Sequence, residues 1–397
     1  MTTDNGSTEL GLERLTENLQ RVEALTQRLL AAVSHKKPVR PALQGPGHDL
    51  FTKAATAYVT EMMSNPSRMI EQQIAYWGQS LQHFVDSQSA PADRRFSDPL
   101  WNEHPYFNFI KQQYLLNTKA METAVAQMDN LDTRERQKLD FFSRQIMDMF
   151  SPSNFLGTNP QALARAVETD GESLVRGLEN LVRDIEANNG DLMVTLADQG
   201  AFDVGSNIAT TPGKVVFRNH LFELIQYSPT TQSVQEVPLV IFPPWINKFY
   251  IMDLRPENSL VKWIVDQGFT LFVVSWVNPD SSMRDTGVET YIEDGFLTAI
   301  EQVKQICDVP QVNATGYCIG GTTLSLTLAL LAQRGDTSVK SATLFTTLTD
   351  FSDQGEMSVF LGNDFVDGIA DEVEEHGILD KFFMSRTFSF LRSNDLI

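Results

Sequence analysis

From about residue 237 the chain alternates short apolar runs with helical patterns, and few folds accommodate that alternation. The runs VPLVIF (237–242), FTLFVVSW (269–276), 311–315 and VKSATLFTTL (339–348) have the length and composition of buried strands. Helical periods separate them at about 256–267, 288–307 and 320–334. Strands alternating with helices predict a parallel, doubly wound sheet, because a parallel neighbour is reached only through a crossover long enough to hold a helix. Upstream, 214–218 and 221–227 alternate or are β-branched and aromatic, and predict a hairpin. The fold class is α/β.

Residues 1–200 lean helical instead. Leu12, Leu15, Leu19, Val22, Leu29 and Val33 follow alternating three- and four-residue steps, with Thr26 at the one poor position. That spacing fits an amphipathic helix over 1–34 packed on its own domain, or the seam of a short coiled coil with a partner helix. The stretch HKKPVRPALQGPGHD is rich in Pro and Gly and reads as a linker over 35–50. Asn65-Pro66 opens a helix bearing Met69, Ile70, Ile74, Trp77, Leu81 and Phe84. Further helices are expected near 106–129, 132–149, 160–168 and 171–188. Beyond 350, Asp and Glu cluster among Phe and Leu without a clear further strand. The expected organisation is a helical N-terminal domain (1–200), the first part of an α/β core (201–350) and the start of a cap insertion (351–397).

Between the 311–315 strand and the helix that follows stands Gly316-Tyr317-Cys318-Ile319-Gly320-Gly321. A Gly-x-Cys-x-Gly match alone is weak, but its place between a strand and a helix is that of the nucleophile elbow of α/β-hydrolases, with cysteine where serine usually stands. Gly316 and Gly320 lack the Cβ atoms that would collide across so sharp a turn. The turn aims Cys318 out of the sheet, and the free N–H groups and dipole of the helix start favour negative charge at its sulfur. The Ile319 N–H is then placed to donate to a developing oxyanion. The second donor is expected from the loop after VPLVIF, at the backbone of Trp245 or Ile246, and the same loop carries Lys248 and Arg255 as local positive charge.

A cysteine nucleophile needs a proton acceptor, most often a histidine oriented by a carboxylate. In this kind of fold the chain order is nucleophile, acid, base. Cys318, Asp350 and His376 satisfy it, with Asp350 following the strand that ends near Leu348. A complete core would bring two more strands beside the elbow, and only one strand pattern follows Cys318. The expectation is that acid and base lie on segments beyond this chain, which stops at LRSNDLI without a capping or tail signal; His376 and Asp350 are the alternatives within it.

Several classes are excluded or disfavoured. A formal net charge of −20 makes a poor general binder of nucleic acid. Cys307 and Cys318 give no disulfide framework and no metal pattern, and Cys307 sits on the apolar side of its helix as a core residue. The start MTTDNGSTEL is polar and acidic, unlike a signal peptide, and no window reaches the length of a membrane span. The chain reads as cytoplasmic.

Six blocks, in one order, carry a resemblance: DRRFSDPLWNEHPYFNFIKQQYLL (93–116), SPSNFLGTNPQAL (151–163), TPGKVVF and ELIQYSP within 211–229, PPWINKFYIMDLRPENSLVKW (243–263), VVSWVNPD (273–280) and GYCIGGT (316–322). From about residue 90 onward the chain resembles polyhydroxyalkanoate synthases, closest to those of a single subunit type acting on short-chain substrates. The resemblance implies an α/β-hydrolase-type core and an acyltransferase that polymerises (R)-3-hydroxyacyl groups from coenzyme A thioesters with release of CoA. It implies that Cys318 carries the growing polyester, that no cofactor is needed, and that the protein works as a homodimer at the surface of polymer granules in the cytoplasm. It also implies that the N-terminal helix region meets granule or partner proteins. The histidine and aspartate of that family fall downstream of the block resembling LRSNDLI. The alternatives are a Cys-dependent thioesterase or hydrolase, and a non-catalytic chain that pairs with a full-length synthase or coats granules.

Overall fold

The computed structural model describes residues 5–34, 93–126, 133–188, 190, 192, 194–198, 200–360, 362–379 and 384. The expected linker over 35–50 and the helix after Asn65-Pro66 lie outside them. The chain forms two compact units. One comprises Met1–Leu196, Gly355–Ile369 and Asp380–Ile397; the other comprises Ala197–Gln354 and Ala370–Leu379.

The first unit is helical: α1 (Asn5–Ser34), α2 (Pro105–Ala126), α3 (Thr133–Met149), α4 (Pro160–Glu168) and α5 (Glu172–Ala187). Local chemistry sets some of the ends. Asn159 caps α4 by accepting from the Ala162 N–H at 3.1 Å, and Pro160 follows at the position where its missing N–H costs nothing. Gly171 takes φ 83° just before α5, a conformation open to a residue without Cβ.

Helix α1 packs on α5 through Leu25 and Leu29 against Val175, Leu178 and Val182. Arg21 bridges Glu172 and Glu179 at 2.7 Å each, and Arg28 meets Glu186 at 2.6 Å. The packed face therefore runs through Arg21, Leu25 and Arg28, about one residue round from the predicted seam. Val22 and Val33 of that seam stay 36% and 47% exposed. The helix packs on α5 of its own unit, and the arginines pairing with α5 carboxylates flank that contact.

Asp184 of α5 is buried and accepts from the Thr195 N–H at 3.0 Å and the Thr195 hydroxyl at 2.8 Å. The backbone N–H first, then the hydroxyl, hold its carboxyl below the ordinary range. A depressed folded value means that the stabilisation is present above the unfolded carboxylate range and is lost as pH falls through the folded value. Asp184→Ala is expected to destabilise the fold by about 1 kcal/mol at neutral pH, because the N–H and hydroxyl of Thr195 lose a charged acceptor in a part-buried setting. In thermal unfolding followed against pH, the gap to the parent should close below about pH 4.

The second unit is built on a six-stranded sheet: β1 (Gly213–Arg218), β2 (Phe222–Tyr227), β3 (Leu239–Phe242), β4 (Leu271–Trp276), β5 (Val312–Tyr317) and β6 (Val339–Phe345), in the order β1-β2-β4-β3-β5-β6. Strands β4, β3, β5 and β6 run parallel, whereas the hairpin β1-β2 joins β4 antiparallel. The sheet is thus mixed, with the predicted parallel part at its centre. Period-two alternation buries both faces. Val240, Phe242, Phe272 and Val274 point into one core, and Ile241, Leu271 and Val273 into the other.

The crossover helices are α6 (Leu260–Asp266), α7 (Thr298–Cys307) and α8 (Ile319–Arg334). Two differ from expectation. Helix α6 begins at Leu260 because Ser259 caps it, accepting from the Lys262 N–H at 2.9 Å, and the residues before it form a two-stranded ribbon. The 288–307 period is interrupted by a π-helical turn, Tyr291–Leu297, ahead of α7. That turn sets Gly295 flat against Trp276, where a Cβ would lie 3.0 Å from the indole ring. A last helix, α9 (Asn363–His376), begins in the first unit and ends in the second.

Candidate active site at the strand-to-helix elbow

Strand β5 ends at Tyr317, and α8 begins at Ile319. Cys318 makes the whole turn between them at φ 52° and ψ −125°. A non-glycine residue there costs about 1–3 kcal/mol and persists only where its surroundings over-determine it. They do so here. The Cys318 N–H donates to the Phe345 carbonyl of β6 at 2.9 Å. Its own carbonyl accepts from the Gly321 and Thr322 N–H groups at 2.9 and 3.1 Å. The side chain is left exposed.

Three glycines let the turn close. A Cβ on Gly316 would lie 2.4 Å from Gly321 Cα. One on Gly320 would lie 2.4 Å from the Phe242 carbonyl oxygen and 2.8 Å from that of Pro243. One on Gly321 would fall 1.9 Å from Thr347 Oγ1. The role of Gly321 was missed from sequence, where the doubled glycine was the available signal.

The register places β3 beside the elbow, with Phe242 opposite Gly316. The chain leaving β3 passes over the first turn of α8, as the closeness of Gly320 to the Phe242 and Pro243 carbonyls requires. It then makes a turn closed by the Asn247 N–H on the Pro244 carbonyl at 3.0 Å. Trp245 and Ile246 are the two central residues of that turn, so their N–H groups lie outside its closing bond. Ile319 opens α8, and its N–H has no carbonyl one turn back to bond. Trp245, Ile246 and Ile319 thus belong to two segments in contact at the elbow. In the same loop Lys248 donates to Asn278 Oδ1 at 2.8 Å, and Arg255 is exposed on the ribbon.

The two in-chain candidates for acid and base have other partners. Asp350 accepts from the Ser352 N–H at 2.9 Å, and that N–H, then the serine hydroxyl, hold its carboxyl below the ordinary range. The chain before it is tied to α8, since Thr322 Oγ1 donates to the Leu348 carbonyl at 2.7 Å. His376 is exposed at the end of α9, its Nδ1 3.2 Å from both the carbonyl and the carboxylate of Glu372 and its Nε2 4.0 Å from Glu375. No hydrogen bond or ion pair joins His376 to Asp350 or to Cys318. Cys307 packs against the core, and burial pushes its thiol up. Among the described residues no three His, Cys, Asp or Glu side chains gather as a metal site.

A mixed sheet with helical crossovers and an elbow after its fifth strand defines an α/β-hydrolase fold, and residues 237–391 match the alpha/beta hydrolase family model. Residues 92–264 match the model described as the N-terminus of poly-beta-hydroxybutyrate polymerase (PhaC). The chain is 40% identical over 391 residues to a poly(3-hydroxyalkanoate) polymerase of Methylorubrum extorquens, an alignment covering 92% of this chain and 65% of that one. It is 40% identical over 348 residues to the PhaC subunit of the Rhizobium meliloti polymerase (84% and 57% covered). It is 42% identical over 311 residues to that of Cupriavidus necator (77% and 52% covered). The chain belongs to the poly(3-hydroxyalkanoate) polymerase family. It spans between about half and two thirds of the length of these relatives.

Proposed function

We propose that the chain is an acyltransferase that takes (R)-3-hydroxyacyl groups from coenzyme A thioesters into a growing polyester, with Cys318 as the covalent carrier. The observation that carries this reading is the exposed Cys318 thiol held at φ 52° between β5 and α8. In the first step the sulfur of Cys318 attacks the thioester carbonyl, and the N–H groups of Ile319 and of Trp245 or Ile246 take up the oxyanion. The C–S bond to CoA then breaks and CoA leaves as its thiol. The acyl group stays on a bond of the same type, so this exchange is close to balanced. In the second step a 3-hydroxyl attacks the acyl-cysteine, which frees the thiol and lengthens the ester.

His376 and Asp350 are engaged with Glu372 and Ser352, so the proposal rests on Cys318 and its backbone donors. The chemistry calls on no metal or organic cofactor. The relatives' names support the substrate class. Among the described residues no helix is long and apolar enough to cross a membrane. The proposed setting is the surface of a polymer granule in the cytoplasm, with a second copy of the chain and granule proteins as partners.

Product analysis tests the reading. Incubation with (R)-3-hydroxybutyryl-CoA should release CoA and yield ester-linked oligomers. Free 3-hydroxybutyrate as sole product would make the chain a thioesterase. No CoA release from a folded chain would make it a non-catalytic member of the family.

A further inference from the structure

We infer that Trp276 is a positioning residue for the oxyanion-binding turn, acting through a hydrogen bond from its indole to the Pro243 carbonyl. The inference rests on the function proposed above. Trp276 ends β4, is 8% exposed, and donates from Nε1 to Pro243 O at 2.8 Å in a buried setting. The segment it holds has a peculiar shortage. Pro243 and Pro244 stand in succession between β3 and the turn 244–247. Neither has an N–H, so the backbone at these two positions offers acceptors and no donors. A donor from elsewhere is required to fix the Pro243 peptide, and Trp276 supplies it.

The fixing is two-sided. Besides the indole, the Pro243 carbonyl meets Gly320 on the first turn of α8, where a Cβ would come within 2.8 Å of its oxygen. The indole itself is held by Gly295 in the π-helical turn and lies among Phe222, Tyr291 and Phe296, with ring centroids 5.9, 5.5 and 5.6 Å away. A second tie follows two residues on. Trp245 Nε1 donates to Thr323 Oγ1 of α8 at 3.4 Å, and its ring lies 5.4 Å from Tyr291. Two indole N–H groups thus brace the entry to the turn, one from β4 onto Pro243 and one from Trp245 onto the helix that follows Cys318. An interruption of α-helix by a π turn is often found beside functional sites. Here it provides the flat glycine surface on which Trp276 rests.

The test compares the parent with Trp276→Phe, which keeps a ring and deletes the donor, and with Thr323→Val, an isosteric change that removes the acceptor for Trp245. Three readouts are taken on the whole chain: hydrogen–deuterium exchange of the amides at 245–248, kcat and KM for CoA release from (R)-3-hydroxybutyryl-CoA, and the rate at which iodoacetamide alkylates Cys318. Trp276→Phe should speed exchange of the Asn247 amide, which closes the turn on the Pro244 carbonyl, by about tenfold or more. It should lower kcat by about 10- to 100-fold with KM within about twofold, as expected when oxyanion donors are misplaced. Alkylation forms no oxyanion and should be unchanged. Thr323→Val should act in the same sense, with a fall in kcat of about two- to fivefold, consistent with the longer bond.

Unchanged exchange of the Asn247 amide in both variants would overturn the inference, and so would faster exchange with kcat intact. Exchange rising throughout the second unit in both variants, with altered alkylation, would reduce Trp276 to a core residue and overturn it equally. A parent chain that releases no CoA would count against the proposed function; the exchange arm would then decide whether the indole holds the turn.

Discussion

Cys318→Ala is expected to reduce CoA release from (R)-3-hydroxybutyryl-CoA by at least about 10³-fold while leaving the fold in place. The size follows from losing the nucleophile of a covalent mechanism, for which the remaining oxyanion donors substitute only in part. The retained fold follows from geometry. The side chain is exposed, and the bonds that hold the turn run through the Cys318 backbone to Phe345, Gly321 and Thr322. Alanine carries the same Cβ and bears the same strain at φ 52°. The change in stability should therefore lie within about 0.5 kcal/mol, as for surface substitutions away from special features. Cys318→Ser keeps the shape and replaces the sulfur nucleophile by a hydroxyl oxygen, and should also lose most of the activity. Parallel thermal unfolding and CoA-release assays check both expectations.

Gly320→Ala should damage both stability and activity, with Cys318 still present. The added Cβ would fall 2.4 Å from the Phe242 carbonyl oxygen and 2.8 Å from that of Pro243. Both are backbone atoms at the exit of a central strand, and neither can move aside as a flexible side chain would. Either α8 shifts along its axis or the β3 exit lifts away from it. Overpacking of this kind costs about 1–3 kcal/mol. Lifting the exit also carries the turn 244–247 away from Ile319 and parts the proposed donors. A further loss of about 10²-fold in CoA release is expected, since removing one oxyanion donor elsewhere costs that much. Normal alkylation of Cys318 by iodoacetamide together with slow CoA release would separate the loss of donors from a damaged nucleophile. Activity equal to the parent would show that the β3 exit contributes no donor.

The elements that buried themselves on both faces were readable in advance, for a physical reason. Val240, Phe242, Phe272 and Val274 face one core and Ile241, Leu271 and Val273 the other, so these strands are apolar throughout and contrast sharply with the helices between them. Helix α4 lies where a helix was expected near 160–168, and its start is set locally by the Asn159 cap and Pro160. Gly316, Cys318 and Gly320 marked an elbow because steric demands at such a turn act over four or five residues, within reach of a motif.

Features decided by distant pairs were not readable. The contact of α1 with α5 is flanked by Arg21 and Arg28 meeting Glu172, Glu179 and Glu186, more than 150 residues away in the chain. The π-helical turn depends on Gly295 meeting Trp276, and a helical period carries no trace of that contact. The bond from Trp276 to the Pro243 carbonyl spans 33 residues and two strands. Of the site itself, sequence could name Cys318 and propose Ile319, Trp245 and Ile246. For acid and base, chain order alone admitted Asp350 and His376, and order says nothing about which groups a side chain will find. In the fold these find Ser352 and Glu372.

The most direct test of the account is to stop the chain after a brief incubation with (R)-3-hydroxybutyryl-CoA and examine the peptide containing Cys318 by mass spectrometry. The account predicts a 3-hydroxybutyryl group on Cys318, removable by hydroxylamine and absent from Cys307. CoA release with Cys318 unmodified, or with the acyl group on another side chain, would contradict it.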